Sequence, residues 1–149
     1  MYPGPSKEIG WFPIHACDHG PDVFDFPDTT EVFHWHGETF DLPSGAAHLA
    51  SSEGCLHQAF QVGVRAIGLQ FHLETTPESA DSIIRNCRDE LIPARFVQGE
   101  QDLRSVPVSR YAGINELMNS VLCYITRDWP NSSRSSQRSK LEIPCWSGR

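Results

Sequence analysis

Residues 65–91 read RAIGLQFHLETTPESADSIIRNCRDEL, and their hydrophobic period changes half-way. Up to His72 the stretch is short and apolar and follows a glycine turn, as a buried strand does. From Thr76 onward Ala80, Ile83, Ile84, Cys87 and Leu91 recur on one helical face, behind a proline at the first helical position. A strand that runs into an amphipathic helix predicts a sheet with a helix packed onto it. Side chains two apart on a strand point to the same side, so His72 and Glu74 are expected to stand as neighbours at the strand's exit. A carboxylate so placed can hold one ring nitrogen and leave the other to take a proton, as the second and third members of a nucleophile triad do.

Upstream, KEIGWFPI (residues 7–14) mixes β-branched and aromatic residues and predicts a strand that stops at Pro13. PDVFDFPDTT (21–30) is broken by two prolines and reads as a loop with one turn of helix at most. Four strand candidates follow in quick succession: EVFHWH, AHLASS, LHQAFQVG and VRAIGLQFH. Gly37, Pro43, Gly45, Gly54 and Gly63 separate them, which predicts antiparallel pairing through tight connections. A second amphipathic helix is predicted over INELMNSVLCYI, with Ile114, Leu117, Met118, Val121, Leu122 and Ile125 turned inward. Cys123 is expected to face inward with them, as Cys87 does on the first helix. Both helices should pack on the sheet. Residues 1–127 are thus expected to form one domain. Residues 128–149, with NSSRSSQRSK among them, have too little apolar surface to offset the entropy of ordering and are expected to be disordered.

The 149 residues carry a net charge of −7, unevenly placed: residues 127–149 contribute +3, which leaves −10 on the remainder. An acidic body argues against a nucleic-acid partner. No run is apolar and long enough for a membrane helix, and the N-terminus has no apolar signal core, so a cytoplasmic location is expected. The five cysteines form an odd set without a CxxC pair, which predicts reduced thiols and neither a disulfide framework nor a zinc knuckle.

KEIGWFPI, WHGETFDLPSGAAHLASS, CLHQAF and GLQFHLE, in this order, resemble the class I glutamine amidotransferases, in particular the small members similar to the amidotransferase domain of GMP synthase. The resemblance runs from about Tyr2 to Ile125. It implies a three-layer, flavodoxin-like α/β fold in which a mixed sheet is flanked by helices. It further implies hydrolysis of the side-chain amide of glutamine, or of another γ-glutamyl amide, by a Cys-His-Glu triad that delivers ammonia to an acceptor the sequence leaves open, with no cofactor and no metal. By the same resemblance His72 is the general base, Glu74 its orienting carboxylate, and His36 and Gly37 of the WHGET block lie near the glutamine pocket. Glu38 stands there in place of the more usual Asp.

The family's nucleophile sits on an elbow of the form GxCxG, and none of Cys17, Cys55, Cys87, Cys123 and Cys145 has that setting. The expectation is therefore an N-terminally truncated amidotransferase domain, inactive by itself, with uncovered sheet edges that invite self-association or docking of a missing N-terminal half. Such a piece should be marginally stable. Whether the chain is an enzyme as it stands is left open at this point. Two other readings come from the residues themselves. His34 and His36 share a strand face with Asp41 close behind, similar to the metal signature of cupin barrels, and His15, Cys17 and His19 of HACDH alternate onto one face with types that zinc accepts. The other reading is a non-catalytic interaction fragment.

Overall fold

The computed structural model describes residues 1–17, 20 and 22–127; the serine-rich tail, Cys145 and His19 lie outside the described residues. Five strands, β1 (Tyr2–Ala16), β2 (Thr29–Thr39), β3 (Ala47–Ser51), β4 (Ala59–Val62) and β5 (Ala66–Leu69), form one sheet in the order β2-β1-β3-β4-β5. Every pairing between them is antiparallel, and among the described residues one parallel bridge joins Ile9 to Val97. Three helices, α1 (Pro77–Asn86), α2 (Glu100–Arg104) and α3 (Val108–Thr126), follow the sheet in sequence.

β1 is the spine, and it does not stop at Pro13. Ile9 and Trp11 direct their N–H groups to the flank away from β2, towards Phe96 O at 2.8 Å and Gln98 Oε1 at 2.9 Å. Pro13 has the same parity, so its missing N–H falls on that flank and costs the β1–β2 ladder nothing. At its other end β1 passes through Pro3 and Pro5 with a register shift between Pro3 and Glu8. The segment around Phe24 and Phe26 contains no helical turn, yet both rings are buried and meet edge-to-face at 4.8 Å.

The first helix follows the sequence reading closely. Thr76 caps it: the Ser79 N–H donates to Thr76 Oγ1 at 3.2 Å, and Ser79 Oγ answers the Thr76 N–H at 2.9 Å, a capping box behind Pro77. Ala80 and Ile84 are its buried residues. α3 starts six residues earlier than expected from INELMNSVLCYI, because Tyr111 joins the core and meets Trp11 edge-to-face at 5.0 Å. The inward face is Tyr111, Ile114 and Val121; Leu122 and Cys123, one and two positions further round, are exposed, contrary to the sequence expectation. Cys87 is half-buried at the C-cap of α1. α2 was not foreseen, since five residues with one buried apolar side chain, Leu103, carry too little periodicity to read.

The strand expected to continue through His72 ends at Leu69. The chain bends at Gln70 and Phe71, and His72 then pairs with the far side of the sheet: its N–H donates to Phe33 O at 2.8 Å in an antiparallel bridge to β2. β2 and β5 are the two outermost strands, so this bridge means that the sheet curls until its margins meet. Part of the edge expected to be bare is thereby covered.

Candidate functional site

The bridge to β2 sets the backbone of His72, and the bend after it turns Glu74 back onto the ring: His72 Nδ1 lies 2.7 Å from Glu74 Oε1. With Nδ1 engaged, Nε2 is the ring nitrogen available to exchange a proton. Both side chains reach solvent, Glu74 more than His72. The two residues come together as expected, although they do so on a bend and not on a straight strand.

Glu74 ionises more readily than an ordinary glutamate. Partial burial is the largest single influence and works against ionisation, but its own backbone N–H, the His72 contact and the Leu73 N–H together outweigh it. A carboxylate with a depressed folded-state pKa contributes stability that is fully present above the unfolded pKa and is lost as pH falls through the folded one. The carboxyl carbon of Glu74 is thus expected to titrate below 4.5 in an NMR experiment, and its midpoint should rise in His72→Ala. An unmoved midpoint in that variant would show that the imidazole is not an effective partner.

The backbone that carries Glu74 is held from α3. Asn115 Nδ2 donates to Leu73 O at 2.8 Å and to Thr75 O at 3.1 Å, the carbonyls on either side of Glu74. Asn115→Ala should cost about 1–2 kcal/mol in urea unfolding, the range for losing a pair of partly buried hydrogen bonds. It should also broaden the Glu74 carboxyl resonance while leaving the core intact.

Behind this pair lies a buried polar cluster. Glu8 on β1 stands opposite His36 on β2, and Glu8 Oε2 is 3.4 Å from His36 Nε2. Ser52 Oγ donates to Glu8 Oε1 at 2.8 Å, and Gln58 Nε2 donates to Glu8 Oε2 at 2.7 Å. Burial pushes the Glu8 carboxyl upward against these two bonds. His34, fully buried, is pushed down to about 3 and His36 to about 4, in both cases chiefly by desolvation, and a charge on His72 would lower both further. His72 is therefore close enough to be felt by both residues of the β2 pair. Gly37 lies under the methylenes of Lys7, 3.3 Å from Cε to where a Cβ would be.

The other sequence candidates disperse. Asp41 accepts from the Tyr2 hydroxyl at 2.9 Å and does not join His34 and His36, so the cupin-like grouping with Asp41 does not form. His15 meets Thr29 Oγ1 at 3.2 Å, whereas Cys17 Sγ lies 3.5 Å from His48 Nδ1, so those two residues of HACDH have separate partners. The sulfur of Cys55 is buried against Thr39 Oγ1 at 3.3 Å. Glu8, Gln58 and Asn115 were not singled out from the sequence.

The chain is 37% identical over 118 residues to the glutamine amidotransferase-like protein YfeJ of Salmonella typhimurium, an alignment covering 75% of this chain and 48% of that one. Over that half it is similar to the glutamine amidotransferase-like proteins. Its fold agrees. The glutamine amidotransferase of Methylobacillus flagellatus superposes with a TM-score of 0.78 at 26% identity, over 92% of this chain and 59% of that one. The glutamine amidotransferase of Thermotoga maritima gives 0.67 at 31% identity, over 85% and 54%. The α/β fold that the resemblance implies is thus the class I amidotransferase fold. No family model matches the chain. This amidotransferase-like chain spans about half the length of the curated relative it matches. No helix among the described residues is long and apolar enough to cross a membrane.

Proposed function

We propose that this chain carries the general base and the orienting carboxylate of a glutamine amidotransferase, with His72 as the base and Glu74 as the group that fixes its tautomer. The observation that carries the reading is the 2.7 Å contact between His72 Nδ1 and Glu74 Oε1, which leaves Nε2 as the nitrogen to exchange a proton. In that role Nε2 takes the proton of an attacking thiol. The thiolate adds to the side-chain carbonyl of glutamine, and the imidazolium returns the proton to the departing ammonia. Water then cleaves the thioester with the same imidazole as base. Glu74 stays ionised throughout and stabilises the imidazolium. His36 and Gly37, at the end of β2, are the proposed contacts to the substrate's side of the pocket.

The thiol is proposed to come from a polypeptide segment outside these 149 residues, since no cysteine here sits in a GxCxG elbow. The test is ammonia release from glutamine, measured for the chain alone and after mixing with the N-terminal half of the Salmonella relative. The chain alone should give no release above background. The mixture should turn over, and His72→Ala should lower that rate by about 10³-fold or more. Turnover by the chain alone that vanishes in His72→Ala would overturn the external thiol, and a mixture whose rate is indifferent to His72 would overturn the base.

A further inference from the structure

We propose that Glu8, His34 and His36 form a binding site for one divalent cation of the zinc class. One atom from each, Glu8 Oε2, His34 Nδ1 and His36 Nε2, faces the other two, all within 4.8 Å. His36 Nε2 lies 3.4 Å from Glu8 Oε2 and 3.4 Å from His34 Nδ1. Both separations are long for a hydrogen bond. They match the roughly 3.3–3.5 Å between ligand atoms that bonds of about 2.0–2.2 Å at tetrahedral angles produce.

Proton counting points the same way. His34 Nε2 donates to Phe12 O at 3.3 Å, so its Nδ1 presents a lone pair to the cluster. Glu8 presents a carboxylate oxygen. Glu8 Oε2 already accepts from Gln58 Nε2, so a hydrogen on His36 Nε2 can answer His34 Nδ1; without that hydrogen three lone pairs converge. A cation answers all three, with release of the Nε2 proton where it is present. The backbone carbonyl beyond His34 is the outer partner that metal-bound imidazoles regularly have.

An independent observation lies in the same network. Gln58 is fully buried, its amide nitrogen is 2.7 Å from Glu8 Oε2 and 3.5 Å from His36 Nε2, and its Oε1 has no hydrogen-bond partner. That unpartnered oxygen belongs to the same side chain whose amide nitrogen touches two of the three ligand groups, so the polar network around the cluster is incomplete as it stands. The donor set of two imidazoles and one carboxylate suits zinc, and His36, the least buried of the three, is the route of entry.

The inference shares His36 with the proposed glutamine pocket but does not depend on that reading, and its test does not use turnover. Chelator-dialysed full-length chain is titrated with Zn²⁺ by calorimetry and with Co²⁺ by visible absorption. One equivalent should bind, cobalt with the intense bands of four-coordination. His36→Ala should weaken binding by more than the roughly 10–100-fold that loss of an outer hydrogen-bond partner costs, while Cys17→Ser, which removes the separate thiol–His48 pair, should change nothing. Folded wild-type chain that binds no equivalent overturns the proposal, as does binding that survives His36→Ala and disappears in Cys17→Ser. Should His36→Ala fail to fold, ¹⁵N spectra of the wild-type imidazoles decide. Zinc must move His34 Nδ1 and His36 Nε2, and shifts confined to other histidines overturn the site.

Discussion

Trp11→Ala should lower the unfolding free energy by about 3–5 kcal/mol, the range for emptying a large aromatic from a packed core. Trp11 is 2% exposed and sits where three elements meet. Phe33 of β2 packs on its ring at 5.6 Å, Tyr111 of α3 meets it edge-to-face at 5.0 Å, and the Arg110 guanidinium lies 5.6 Å from the ring centre. None of these neighbours can collapse into the space without leaving its own element, so little of the cavity term is recovered. Urea denaturation should show a lower midpoint at unchanged slope. Trp11→Phe, which keeps one ring against Tyr111, should lose less than half as much. A loss below about 1 kcal/mol for the alanine variant would mean that α3 does not depend on β1 for its seat.

Gly10→Ala is the second large effect, expected at about 2–4 kcal/mol. Gly10 has φ near 124°, a conformation that side-chain-bearing residues rarely adopt, and a methyl group there would stand 2.7 Å from Cδ and 2.9 Å from Cβ of Gln98. Gln98 cannot simply withdraw, because its side chain brackets the backbone of Trp11, accepting from the N–H at 2.9 Å and donating to the carbonyl at 3.0 Å. Two costs therefore coincide, strain at φ and loss of the bracket. A double-mutant cycle with Gln98→Ala separates them: the clash with Cδ is removed and the bracket cannot be lost twice, although the close approach to Cβ persists, so the combined loss should be smaller than the sum of the single losses. Strict additivity would show that the φ strain accounts for all of it.

The strand-then-helix reading of residues 65–91 was legible because both periods are strong and Thr76-Pro77 marks the boundary chemically. The His72–Glu74 contact was legible for the same reason: spacing of two survives the bend that replaces the expected straight strand. β1 was underestimated because a proline ends a strand only if its N–H is needed, and at Pro13 the ladder lies on the other side. That is a property of the neighbours and not of the residue. Leu122 and Cys123 were misplaced because apolar residues crowd α3, and only the contact of Tyr111 with Trp11 fixes which arc faces in. Glu8 and Asn115 escaped notice because their partners, His36 and the carbonyls of Leu73 and Thr75, are distant in sequence. The same holds for the fold as a whole: four motif blocks identify the family, but the curl of the sheet depends on a backbone bond between residues 33 and 72.

That bond makes His72 a clasp as well as a chemical group. Its amide hydrogen is donated to Phe33 O on β2, nearly forty positions away, so loosening of the curled sheet where its margins meet should be felt at the imidazole early. Proton–deuterium exchange at this one amide should then gauge how tightly the curl is fastened. Variants that slacken it would displace the His72 imidazole from Glu74 while the rest of the molecule still holds its shape.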